Sequence, residues 1–506
     1  MSTTKPRLMR RALRRLTVAA VIAGTALTVA TPLTTHADPA AAPLADRLVR
    51  SVTVDKIYRH LIALQRIADT NGGNRTAHAA GYLKSLDYIA EKLRGAGFDV
   101  SMSEFTYHRV VVDAAVVSAG SATAAPTQMG DSPNTPVGGV AGPLLAVPVD
   151  ATPGCQAEDY AGLNARGTVA LIKRGGCTFT QKQLVAAEAG VVVALIYNHV
   201  DGPGLGGIDP TQARIPTAGL TTAEGLALTS VAGTQTTVDI RSHKELTTSR
   251  YLVTQTRTGR VDNVVLAGAQ LDSIPTSPGI NDTGTSSAAL LELALRLGSS
   301  PRVNNAVRFA WWGAEDVDKT AAKAYLRSLT FEQQLDIALY LNSNSIGSRN
   351  AGYFVYDGDN SSGSTGPMPY GSAQIERAYA NYLNGRGIPT EDTDFDRQWD
   401  HSQFIMAGIP TGGLYAGSFR PKTDTQFAKW GGTAGVSFDQ CHQQPCDNLG
   451  NVDRTALDRN ADALAFVVGT YATSTEDVNG VPPRAQRAAV RAASRSISVT
   501  IQGAME

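Results

Sequence analysis

The stretch 261–318 constrains the fold more than any other part of the chain. Apolar residues 263–269 read as a strand, and a polar loop rich in Pro and Gly follows, ending at Gly279-Ile280-Asn281-Asp282. A helix is expected to open near Thr283–Thr285, where hydroxyls can cap it. Residues 306–312 read as a second apolar strand, which delivers Gly313-Ala314-Glu315-Asp316. Strand, helix, strand with acids at the strand ends is how an open α/β sheet builds a site, because side chains gather outside the carboxyl ends of its strands.

At 506 residues a single core is unexpected, and two folded domains with flanks are the default. Lys plus Arg balance Asp plus Glu at 45 each, so nothing points to nucleic acid. Residues 1–37 read as a secretory signal peptide. Lys5, Arg7, Arg10, Arg11, Arg14 and Arg15 form a basic start, 17–33 an apolar segment, and Thr35-His36-Ala37 a cleavage site before Asp38. Arg10-Arg11 leaves a twin-arginine signal open beside an ordinary one. The apolar segment is short for a membrane span, so the mature chain is expected to be secreted, extracellular and without a transmembrane segment. Cys155, Cys177, Cys441 and Cys446 imply disulfides in an exported protein, and three pairings are possible. Sequence neighbourhood favours Cys155 with Cys177 and Cys441 with Cys446.

Helical periods run through 44–95, and 99–107 alternates like a strand. Near Val110 the composition shifts to Val, Ala, Gly and Pro with short strands. Strand 167–174, Gly175-Gly176-Cys177-Thr178-Phe179, helix 180–189, strand 191–197 and helix 221–228 resemble a protease-associated domain. That resemblance implies an insertion over 111–248, dividing a main domain into 38–110 and 249–473. Such insertions are usually lids or substrate-recruiting modules, with a passive spacer as the plainer possibility. Residues 474–506 form a tail in which Arg484, Arg487, Arg491 and Arg495 fall on one face of a possible helix. It is expected to be solvated or processed, or else to attach to an anionic surface.

The motifs of 261–318, with Asn71-Gly72-Gly73-Asn74-Arg75 before them and Asn342-Ser343-Asn344-Ser345-Ile346-Gly347 and Cys441-His442-Gln443-Gln444-Pro445-Cys446-Asp447 after them, resemble the secreted di-zinc aminopeptidases of the aminopeptidase Y-like type in peptidase clan MH. The resemblance spans nearly the whole mature chain. It implies an α/β fold, an open mixed sheet flanked by helices of the zinc aminopeptidase/phosphorylase type, carrying the small β-rich insertion. It also implies zinc, peptides or protein N-termini as partners, and a monomer.

Family members show G-A-H-x-D-S, G-x-N-D, W-x-A/G-E-E, N-x-D-M-I-G and C-Y-H. In this chain the first His position is Gln270, while Asp272, which supports that His from behind, is kept. The bridging carboxylate is Asp282 and the general base is Glu315, both kept. The neighbouring ligand is Asp316, one methylene shorter than Glu; the ligand Asp is replaced by Asn344; the last His is replaced by Gln443. The Tyr expected to stabilise the oxyanion is replaced by His442. Neutral amides are poor zinc ligands beside imidazole or carboxylate. Without the metal, Glu315 would have only bulk-like water to activate. The expectation is a degenerate homologue, non-catalytic or weakly active, that keeps a peptide-binding cleft. The rival is a metalloexopeptidase with an altered or single metal site, and the oxygen donors leave calcium or magnesium as a further alternative. His60, His78, His108, His199 and His243 lie outside the motifs, and His401 and His442 are expected on loops near the cleft in local structural roles.

Overall fold

The computed structural model describes residues 43–199, 206–317, 319–363, 366–395, 399–475 and 482–492. The expected signal peptide lies outside these residues. Three helices open the chain: α1 (Leu44–Ser51), α2 (Val54–Asp69) and α3 (Ala80–Gly95). Helix α2 buries Ile57, Leu61, Leu64 and Ala68, the spacing of one helical face. Next comes β1 (Val100–Ala119), followed by β2 (Ala122–Ala124), β3 (Thr127–Gln128), β4 (Val140–Ala146), β5 (Val169–Lys173), α4 (Phe179–Glu188), β6 (Val193–Tyr197), β7 (Thr217–Leu220) and α5 (Thr222–Thr229). Strand β8 (Gln235–Gln255) returns antiparallel to β1 along its whole length. The alternating strand expected at 99–107 is therefore only the start of a much longer one. Pairing with β8 carries it through the composition shift at Val110.

The rest of the chain runs β9 (Arg260–Gln270), α6 (Thr285–Leu297), β10 (Asn305–Trp312), α7 (Thr320–Ser328), α8 (Phe331–Asp336), β11 (Ile337–Asn344), β12 (Phe354–Tyr356), α9 (Ser372–Asn384), β13 (Glu391–Thr393), α10 (His401–Met406), β14 (Thr411–Tyr415), α11 (Asp424–Trp430) and α12 (Arg454–Thr473). The strand order is β13-β12-β14-β11-β9-β10-β8-β4-β5-β6-β7-β3. Strands β14, β11, β9 and β10 are mutually parallel, while β8 pairs antiparallel with β10 at one end and with β4 at the other. The fold is thus the expected mixed sheet flanked by helices, joined through β8 to a smaller β-rich unit. Both disulfides, Cys155–Cys177 and Cys441–Cys446, form as sequence neighbourhood favours.

Strands β9 and β11 are almost continuously buried, as parallel strands covered on both faces must be. Trp311, Phe309, Leu339 and Leu341 lie in the core that α2, α6 and α12 cover. Because these strands point one way, Gln270, Glu315 and Asn344 arrive at the same edge of the sheet.

Two expectations fail locally. The hydroxyls of Thr283–Thr285 do not cap α6, whose N-cap is Gly284. Asp282 and Thr283 are non-helical, and the Thr283 hydroxyl is spent on the backbone and side-chain oxygens of Gln270 at 3.2 and 3.1 Å. The tail is not wholly solvated either. Residues 484–492 are helical, with Arg487 and Arg491 buried. Arg487 donates to the carbonyls of Pro482 and Leu335 and to Asn263, and Arg491 to those of Gln334 and Ile337. Arg484 pairs with Glu332 and Asp336. The arginine stripe satisfies carbonyls at the amino-terminal end of the sheet, opposite the acids. Arg487→Ala is expected to cost about 2 kcal/mol, the penalty for orphaned buried acceptors, and to expose 482–492 to trypsin. Melting and C-terminal proteolysis check it; an unchanged melting temperature with a still-protected tail would refute the docking.

Candidate active site

Asp282 hangs from a loop folded by a buried arginine. Arg75 is fully buried and donates to the carbonyls of Leu271, Pro278 and Gly279. Gly279 has φ 65°, and a Cβ there would lie 2.5 Å from that of Ser273 and 2.7 Å from the Asp282 carbonyl oxygen. Only glycine fits that approach. The Asp282 backbone N–H donates to Asp447 at 3.0 Å. A cis peptide joins Asp282 to Thr283.

Asp282 Oδ2 lies 3.1 Å from His442 Nδ1, an ion-pair contact between side chains that are about one-tenth exposed. Its Oδ1 accepts from Ser345 at 3.2 Å, and the same hydroxyl lies 2.9 Å from Asn344 Oδ1. Burial opposes both charges. For His442, the charge and contact of Asp282, with Asp439 and Asp447, outweigh burial and lift it to about 9. Asp282 is held below the usual carboxylate range, since His442, Ser345 and Arg75 outweigh burial. The surrounding acids thus favour a charged imidazole against the acid that the resemblance assigns to bridge two metals.

Gln270 is buried and anchored by Thr283, and its amide faces Asp272 and Asp316, favouring their charged forms. Asp272 Oδ2 accepts from the Ala314 N–H at 3.0 Å, while Oδ1 has no well-aligned hydrogen bond among the described residues. Asp272 is pushed up to about 8 by burial and then by Asp316. Asp316 is exposed as a residue, yet its carboxyl senses Asp282, His442 and Gln270; desolvation and then Asp282 raise it to about 6. Gln443 lies at the rim with φ 59°, its carbonyl accepting from Thr276 at 3.2 Å.

Glu315 is buried. Its Oε1 accepts from the Asp400 N–H at 2.5 Å and its Oε2 has no hydrogen-bond partner among the described residues. Burial and the neighbouring Asp400 push it well above the ordinary range. Asp400, which none of the family-like motifs marks, belongs to the site through this contact with Glu315. Its carboxylate accepts from Tyr340 at 2.6 Å and from Asn342, and burial lifts it to about 7. Tyr340 stacks on Phe404 and accepts from Trp312 Nε1, fixing Asp400 through the core. His401 lies in helix α10 rather than on a loop. It is fully buried against Tyr356 and Phe395, neither ring nitrogen has a partner among the described residues, and burial holds it down to about 3.

These shifts give stability a pH dependence. Asp272, Asp316 and Asp400 bind protons more tightly folded than unfolded, so their contribution is largest in acid and is lost as pH rises through about 6 to 8; Glu315, raised well above the ordinary range, acts in the same direction. His442, also raised, adds stability below its unfolded value and loses it through about 9. His401, depressed, works the other way, losing stability as pH falls below its unfolded value. Four acids and one histidine against one histidine predict a melting temperature that falls by several degrees from pH 6 to 9; a flat or rising profile would contradict it.

The donor set does not fit zinc. Of the five positions that the resemblance assigns to metal, Gln270, Asn344 and Gln443 offer neutral amide oxygens, and Asp282 already lies 3.1 Å from His442 Nδ1. The buried oxygens of Glu315 and Asp272 without a well-aligned hydrogen bond among the described residues suit a cationic hydrogen-bond donor instead.

The model of peptidase family M28 matches residues 252–468, and that of the PA domain matches residues 140–228. The chain is 42% identical over 455 residues to the probable lipoprotein aminopeptidase LpqL of Mycobacterium tuberculosis, covering 89% of this chain and 91% of that one. It is 37% identical over 450 residues to an aminopeptidase of Pseudomonas aeruginosa, covering 85% and 83%. A zinc aminopeptidase from Bacillus subtilis has a similar fold, with TM-score 0.66, 21% identity, and coverage of 84% of this chain and 96% of that one. An aminopeptidase from an Aneurinibacillus strain matches with TM-score 0.62 and 22% identity, covering 87% and 98%.

Proposed function

The chain belongs to peptidase family M28, with a PA domain inserted in its first half, and from that premise we propose that it is a secreted, metal-poor relative of the metallo-aminopeptidases that holds peptide N-termini in the old cleft and cleaves them weakly or not at all. The observation that carries this reading is the closure of His442 on Asp282, 3.1 Å apart, where the resemblance assigns a carboxylate shared by two zincs. Gln270 and Asn344 support it. Each is engaged with a neighbouring hydroxyl, Thr283 and Ser345, as polar groups in a rebuilt network would be.

A peptide ammonium is three hydrogen-bond donors with a positive charge, which matches these oxygens of Glu315 and Asp272 beside Asp316. The roles of Glu315 as retained base and of His442 in place of an oxyanion donor belong to this reading. So does the division into 38–110 with 249–473, an insertion over 111–248 and a tail over 474–506. Secretion would free the chain at Asp38, which N-terminal sequencing of exported protein checks.

The rival, an active exopeptidase with an altered or single metal, draws on the retained Asp282, Asp316 and Glu315. Calorimetric titration of the purified mature chain with zinc, calcium and magnesium, followed by elemental analysis, separates the two. Weak zinc binding and no release of amino acids from dipeptides are expected. Two tightly held zincs, with release, would overturn the proposal; tight calcium or magnesium alone would point to the oxygen donors as a hard-cation site.

A further inference from the structure

Strands β1 and β8 run far beyond the sheets they join. Strand β8 meets β10 only at 252–255 and β4 only at 235–238. Strand β1 meets β2 only at 117–119. Among the described residues, Asn134 and Thr135 bond the far edge of β8 at Ile240 and Ser242, while no strand pairs with the outer edge of β1 over 100–116. An open edge is a template for another strand. Here the edge is apolar as well. Val110 and Val112 are each 62% exposed and point to one face, and Leu246, also 62% exposed, lies opposite His108 on that face.

We propose that this edge pairs antiparallel with the same edge of a second copy of the chain, about a twofold axis at Val111, making a four-stranded sheet of two ribbons. The segment Arg109-Val110-Val111-Val112-Asp113 is self-complementary in that register. Antiparallel pairing about Val111 sets Val110 opposite Val112 of the second copy and Arg109 opposite its Asp113. A twofold, isologous contact places the same attraction on both sides of the axis. Arg109 already touches Glu245 at 2.7 Å and Asp113 touches His243 at 3.0 Å, but Arg109 is partly exposed and the other three side chains are exposed, so each can take a second partner. Regular pairing with β8 stops at Val112 and resumes at Ala114, with Asp113 as the bulged residue between them, which confines the contact to this short run. A short contact predicts a weak, concentration-dependent dimer rather than an obligate one, and the expectation of a monomer would hold only for dilute protein.

Sedimentation velocity of the full mature chain over a dilution series tests this. The natural chain is expected to pass from monomer to dimer as concentration rises. Arg109→Asp and Asp113→Arg each place like charges across the axis and should weaken the dimer by about 10-fold or more, while the double variant restores opposite charges and the dimer with them. Each variant's melting curve confirms that it is folded. A monomer at every concentration overturns the proposal and leaves the edge to an extended segment of another protein. A dimer that both single reversals leave intact overturns it too, since the contact then lies elsewhere.

Discussion

A variant carrying Gln270→His, Asp316→Glu, Asn344→Asp, His442→Tyr and Gln443→His is expected to hold zinc and to release N-terminal residues from peptides far faster than the natural chain. The backbone that would present these ligands is in place. Gln270 ends β9, Asn344 ends β11, and Asp282 and Glu315 stand at the same sheet edge. Asp272 stays behind position 270 to orient an imidazole, an outer support worth about 10- to 100-fold in affinity or activity in metal sites of this kind. His442→Tyr removes the imidazole beside Asp282 and adds a hydroxyl donor; a single oxyanion donor is worth about 10²- to 10³-fold in rate. Elemental analysis and kcat/KM on short peptides measure the result. No gain in either would mean that the loops around 279–283 and 441–446 have diverged along with the ligands.

Breaking the Asp282–His442 pair is expected to be the most damaging single change in the natural site. Asp282→Asn leaves an imidazolium largely buried without its counter-charge, and His442→Gln leaves a carboxylate in the same position. Each should cost about 3 kcal/mol, as removal of one partner from a buried pair typically does. The double variant, which buries neither charge, should cost much less than the sum, and the difference is the coupling. Urea unfolding of the four proteins closes the cycle. Its pH dependence has a definite sign. The pair's contribution is complete below the unfolded histidine value while Asp282 stays ionised, disappears as pH rises through about 9, and is lost again in strong acid as Asp282 takes a proton. Additive costs, or a coupling unchanged above that pH, would mean that the two groups do not hold each other.

The strands that build the cleft, the order of their motifs and both disulfides are legible in the sequence because each is local. Apolar runs mark buried parallel strands, and cysteines separated by 22 and 5 residues lie close along the chain. The substituted ligand positions are legible for the same reason, each within a short motif. Asp400 was harder to see, because its importance comes from a backbone N–H on Glu315 and from Tyr340 and Asn342, which lie 60 and 58 residues away. Arg75 closes the Asn71–Arg75 motif, but its three carbonyl acceptors lie about 200 residues downstream. The stripe of arginines in the tail looked like a solvated face because periodicity marks a face without saying what covers it.

By itself the sequence determined the α/β architecture, the family likeness and the absence of imidazole from the positions that the likeness assigns to metal. These depend on residue identity and on spacing within a few turns or strands. Tertiary structure decided what stands there instead. Whether His442 is a rim residue or lies against Asp282, and whether Gln270 hangs free or rests on Thr283, depends on which loops meet across the sheet edge. The same holds for the open edge of the ribbon, since only the registers with β2 and β8 show how much of β1 is left uncovered. Contacts between segments far apart in the chain leave no period in it, and the cost of burying a charge is set by the partner that folding brings to it.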